Sequence, residues 1–123
     1  MVQIAAKQMQ AYKRTAHIRW QAEKAQRTQR REKAWQLAYT AAQLLKDSFG
    51  AQRVVVFGSL LQPERFHLRS DVDLAVWGLT STTWLKAMAA VHALSDTIEL
   101  NLVDVGVCSS ELYAVIEREG IAL

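Results

Sequence analysis

Val54-Val55-Val56-Phe57-Gly58-Ser59, taken up again by Ser70-Asp71-Val72-Asp73-Leu74-Ala75-Val76, is the stretch that decides the fold. The first run is apolar and β-branched and stops at a glycine, the pattern of a buried strand ending in a tight turn. In the second run Asp71 and Asp73 alternate with Val72 and Leu74. Side chains two apart on a strand share a face, so both carboxylates project from one side while the valine and leucine pack on the other.

Asp-x-Asp by itself also fits a solvated strand edge or a cap, and Gly-Ser after a strand is a common turn. Their succession within one strand–turn–strand unit is more specific. Two strand positions span about 6.6 Å, so the carboxylates can converge on a cation. Left unpaired they would repel, and one would tend to keep its proton. A hard divalent ion such as magnesium removes that conflict. Gly58 lets backbone approach a phosphate, and the Ser59 hydroxyl and neighbouring amides can donate to it. These are the parts that phosphoryl or nucleotidyl transfer needs.

Phe57-Gly58-Ser59, an eleven-residue spacer, and Asp71-Val72-Asp73 resemble the signature of the minimal nucleotidyltransferases, the small branch of the DNA polymerase β-like superfamily. The usual spacer there is ten residues, so this chain carries one more. The likeness spans residues 34–123 and includes Leu102-Val103-Asp104 and Ile116-Glu117-Arg118-Glu119-Gly120. It implies that Asp71 and Asp73 hold Mg²⁺ on the triphosphate of ATP or another NTP, with Gly58 and Ser59 gripping the terminal phosphates. Ser70, Arg65 and Arg69 join them as candidate nucleotide contacts from the connecting loop. The resemblance also implies a partner, an all-helical HEPN protein, with the transferase acting as antitoxin by adenylylating a tyrosine of the HEPN ribonuclease toxin.

Two-metal transfer uses a third carboxylate on the adjacent strand. Matching Leu102-Val103-Asp104 to the family pattern puts that position at Asn101, which offers a carbonyl oxygen but no charge. Glu99 shares its face and has a longer arm, whereas Asp104 should face the other way. Three readings stay open: an enzyme using Glu99, a slow enzyme relying on Asp71 and Asp73, or a catalytically degenerate nucleotide-binding subunit that acts by contact with its partner.

A chain of 123 residues, half of them hydrophobic and 22% charged, suits one small domain with a modest core. The single cysteine, Cys108, rules out an internal disulfide and points to a reducing cytoplasm; it reads as a small buried hydrophobe. No apolar run is long enough to cross a membrane, and no signal-peptide core is seen. The net charge of +3 conceals a partition. Residues 1–35 hold nine Lys or Arg against Glu23 and Glu32, or +7, leaving −4 on the rest. Segments so different in charge generally meet different partners.

Residues 1–33 contain no Gly or Pro and read as a protruding basic helix in which the apolar residues Ile4, Ala5, Met9, Tyr12, Ala16 and Trp20 thin out toward its end. It is the candidate docking element for the HEPN-type partner. Self-association and, as a lesser alternative, RNA binding as an accessory protein are the other readings of its charge. Residues 34–123 read as the nucleotidyltransferase domain. An amphipathic helix from Ala34 is capped by Gly50 and delivers strand Arg53–Phe57. A short helical turn and a Pro63-initiated loop lead to strand Asp71–Trp77. A helix capped at Thr80 or Ser81 carries Trp84, Leu85, Met88, Val91 and Leu94 as an apolar stripe. Strand Thr97–Asp104 and a helix from Ser109 or Ser110 to Arg118 follow, and Ile121-Ala122-Leu123 tucks back. The fold class is α/β (α+β): a small mixed sheet covered by helices on one face, with the polar site on the other and a long N-terminal helix in front.

Overall fold

A computed structural model describes residues 2–123; Met1 and the side chains of residues 2–4, Ile4 among them, lie outside the described residues. The first element, α1 (Val2–Phe49), is one helix of 48 residues, about 72 Å long at 1.5 Å per residue. It runs without a break through the change in composition at residue 33. Gly50 ends it with φ +75°, the left-handed conformation that only glycine adopts without cost.

Then come β1 (Arg53–Phe57), a single 3₁₀ turn over Gly58–Leu61, β2 (Val72–Trp77), α2 (Ser81–His92), β3 (Leu100–Asp104), α3 (Ser110–Glu119) and β4 (Ile121–Ala122). The caps are those the sequence indicates. The Thr80 side chain accepts from the Thr83 amide, and Ser109 Oγ accepts from the Leu112 amide. The sheet order is β3-β2-β1-β4, with β2 and β3 parallel and β1 antiparallel to both β2 and β4. The parallel pair is what obliges the chain to cross over through α2.

Alternation along the strands makes two apolar clusters. Val54, Val56, Val72, Leu74, Val76 and Leu100 face α1 and α2, meeting Ala34, Ala38, Ala41, Leu45, Ala87 and Val91. Val55, Phe57 and Ala75 point to the other side, where Ile116 of α3 covers them. The polar site therefore shares its face of the sheet with α3, so helices lie on both faces and not, as expected, on the one opposite the site. Alanines on α1 allow close approach of helix and sheet, with Leu45 as the bulky insert.

Two further expectations are corrected. Strand Thr97–Asp104 starts only at Leu100, because Ser95 Oγ accepts from the amides of Thr97 and Ile98 and closes a turn there. Leu85 and Leu94 are no part of the core; they are 74% and 37% exposed, since only Ala87 and Val91 of α2 point squarely at the sheet, Trp84 and Met88 are half-buried, and α2 ends before Leu94. Cys108 is half-buried, its Sγ 3.6 Å from the Val105 carbonyl.

Candidate active site

Register assembles the site. Antiparallel pairing sets Phe57 opposite Asp73, and parallel pairing sets Asp73 beside Asn101. Gly58 follows Phe57 with φ +81°, turning the chain across the end of β2. A Cβ at Gly58 would lie 2.5 Å from Asp73 Oδ2, so the bend and the carboxylate are in contact and only glycine fits between them. The acid pair and the glycine turn read from sequence are therefore brought together.

Asn101 stands between the acids. Its Nδ2 donates to Asp71 Oδ2 at 3.3 Å and to Asp73 Oδ1 at 3.2 Å. Both aspartates are half-buried, and among the described residues neither makes an ion pair; the salt bridges are Arg53–Glu117 and Arg118–Glu119. Burial lifts the Asp73 carboxyl above the ordinary carboxylate range; the Asn101 hydrogen bond draws it partly back, and the Asp71 charge adds a further upward push. This is a pair of half-buried carboxylates with no cation paired to either among the described residues.

Glu99 does not gather with the two aspartates, although it borders the same cavity as Asp71. It is exposed, precedes β3, and offers its backbone carbonyl to the Val72 amide at 2.9 Å. Among the described residues no three His, Cys, Asp or Glu side chains gather as a metal-holding group. The side chain that joins Asp71 and Asp73 is that of Asn101. Asp104 faces away as expected, its Oδ1 accepting from the Gly106 amide.

The connecting loop is held from within and from α1. Ser70 is buried, and its Oγ accepts from the His67 amide at 3.0 Å, so its hydroxyl holds the loop that leads into Asp71. Ser59 is half-buried in the 3₁₀ turn, where its carbonyl accepts from the Gln62 amide. Arg65 and Arg69 are both exposed. Arg69 borders an open cavity of about 460 Å³ together with Arg30, Asp71, His92, Asp96 and Glu99, so there is room beside Asp71 for a ligand. A second groove of about 510 Å³ runs between α1 and Pro63–Phe66 and includes neither aspartate.

Two residues escaped the reading from sequence. Arg30 donates through Nη1 to the Thr97 carbonyl at 3.0 Å and through Nη2 to the Ser70 carbonyl at 3.1 Å. Arg31 Nε donates to the Leu60 carbonyl at 3.1 Å. They pin both segments flanking the acids onto α1. In sequence they sit in a run of cations, and no local signal separates them from their solvated neighbours.

No protein-family model matches the chain, nor does any curated protein. Among solved structures, a chain of the toxin–antitoxin MntA-HpeT matches with a TM-score of 0.56 and 22% identity, over 69% of this chain and 70% of that one. That structure is of a mutant in which two aspartates, two residues apart, are replaced by glutamate. At this identity the likeness is one of fold, and it agrees with the mixed sheet and helices described above.

Proposed function

We propose that this protein is a nucleotidyltransferase-type antitoxin: it binds a magnesium–NTP complex, ATP for preference, and transfers the nucleotidyl group to a hydroxyl of a toxin partner. The observation that carries this reading is the contact of Gly58 with Asp73, which puts a glycine bend against a pair of carboxylates. The fold shared with a chain of a toxin–antitoxin structure, solved as a mutant that alters two aspartates of the same spacing, supports it.

The residues fit a hard divalent cation. Asp71 and Asp73 supply anionic oxygens, and the Asn101 amide nitrogen lies between them as a partial positive charge would. Turned over, that amide presents Oδ1, completing an all-oxygen donor set. When bound, magnesium neutralises charge on the triphosphate and polarises the α-phosphorus. The chain's own part is positional. Gly58 leaves backbone open to the outer phosphates, Ser59 is available as a donor, and Arg69 stands at the mouth of the cavity beside Asp71. The acceptor hydroxyl releases its proton to solvent as its oxygen bonds to the α-phosphorus, the bond from that phosphorus to the bridging oxygen breaks, and pyrophosphate leaves. An acceptor of HEPN type is the form of this proposal that the sequence resemblance favours.

A second reading rests on Asn101, the uncharged side chain that joins the two acids: a subunit that binds nucleotide without transferring it and neutralises its partner by contact. One experiment separates them. The purified protein with its co-purifying partner is incubated with α-labelled ATP and Mg²⁺. Transfer of label to the partner, abolished by Asp71→Asn with Asp73→Asn, establishes the enzyme. Neutralisation of the partner without transfer establishes the binding subunit.

A further inference from the structure

α1 presents one face along its whole length, and that face meets three different fates. Ala34, Ala38, Ala41 and Leu45, at spacings of four, three and four, are all fully buried against the sheet and α2. One stretch earlier, Arg27 and Arg31 lean on the 60s loop. Earlier still, Ala5, Met9, Tyr12, Ala16 and Trp20 repeat the spacing of four and three on the same side, because the fourteen residues from Trp20 to Ala34 make almost four turns. Among the described residues no other element covers this last stripe; only His17 and Lys24 of the same helix lie on Trp20. Every residue from 5 to 26 is exposed, with Met9 at 55%, Tyr12 at 73% and Trp20 at 51%.

We infer that this stripe is a docking face for an acidic amphipathic helix of a partner protein. It continues the face that already packs against protein further along the same helix, and about 33 Å of it stands free. Charge selects the occupant. Lys13 and Lys24 line one margin of the stripe and Arg19 the other, and residues 5–26 hold five cations against the single Glu23. In paired helices the residues bordering the apolar seam set partner choice through their charges. A second copy would bring basic margins against basic margins, whereas glutamates on the partner pair with both. Near its base the stripe takes in Glu23, its one acid, and meets a cavity of about 370 Å³ bordered by Trp20, Glu23, Arg27, His67, Leu68 and Arg69, where the cations still outnumber it. A helix lying along the stripe thus reaches the loop that leads into Asp71. Docking itself uses none of the acidic site and stands or falls independently of the transferase reading.

The test uses the full chain and a fluorescently labelled synthetic helix of 22 residues, leucine and valine on one face and glutamate at both margins, followed by anisotropy. Binding is expected, weakening at least tenfold between low and high salt as the margin charges are screened. Tyr12→Ala with Trp20→Ala should weaken it at least tenfold, while Ile18→Ala, on the opposite side of α1, leaves it unchanged. Asp71→Asn with Asp73→Asn should bind the helix like the parent. Equal binding of a lysine-margined helix, or indifference to the Tyr12 and Trp20 changes, overturns the inference. So does a dimer in sedimentation that those two changes dissolve, or tighter binding of a single-stranded RNA oligonucleotide through the same residues.

Discussion

The two ends of α1 are made of similar material and live in different surroundings. Ala16 and Ala38 are the same residue on the same side of one helix, yet Ala16 is exposed and Ala38 has no accessible surface at all. Helix-forming residues without Gly or Pro make both ends helical. Only the C-terminal end finds a sheet to pack on. Local structure and tertiary anchorage are thus separate properties, and here one helix displays them apart. The arm also covers itself where it can: His17 stacks on Trp20 with ring centroids 6.1 Å apart, and Lys24 sits 5.3 Å over the same indole. Such contacts within a helix contribute about 0.2 to 1 kcal/mol each when exposed and do not substitute for a core.

The harshest way to break the comparison is to place a charge at matched positions. Ala38→Asp should destabilise the fold by about 3 kcal/mol or more, because the carboxylate is buried with no partner, and denaturant unfolding will read it. Ala16→Asp should change stability by no more than about 0.5 kcal/mol. If both behave alike, the arm is anchored after all.

Between the ends, Arg30 tests where anchorage begins. Arg30→Met keeps the aliphatic stem but releases the carbonyls of Ser70 and Thr97, at an expected cost of about 1 to 3 kcal/mol. Because those carbonyls flank the acids, calorimetric titration with Mg-ATP should show weaker binding as well.

Asp73 belongs to the anchored side but carries the opposite sign. Folding raises its pKa above the unfolded value. Between those two values the folded state binds more protons, so stability falls as pH rises through that window, and the ionised group is a net cost above it. Asp73→Asn should therefore raise the melting temperature at neutral pH and flatten its dependence in the mildly acidic range. Added Mg²⁺ should stabilise the parent and leave Asp71→Asn with Asp73→Asn unmoved.

The gentlest test changes nothing covalently. Amides of residues 5–22 should exchange with deuterium by local opening, orders of magnitude faster than those of 34–45, which are held by the packed core. Equal protection would mean that the arm is covered in solution.

Much of this was present in the order of the residues. The β-branched run ending at Gly58, the Asp-x-Asp alternation, the capping residues Thr80 and Ser109 and the stop at Gly50 are local signals, and local sterics and hydrogen bonding enforce them whatever surrounds them. So is the charge partition, which needs only counting. What the order of residues left open was settled by contacts distant along the chain. That Asn101 rather than Glu99 meets the acids depends on the parallel register of β2 and β3 and on Ser95 ending the turn before β3. That Arg30 and Arg31 grip the site's loops while neighbouring cations face solvent depends on where a helix of 48 residues lies across the sheet. Short-range forces act on near neighbours and can be read there; a partner forty or sixty-seven residues away is chosen by the packing of the whole domain.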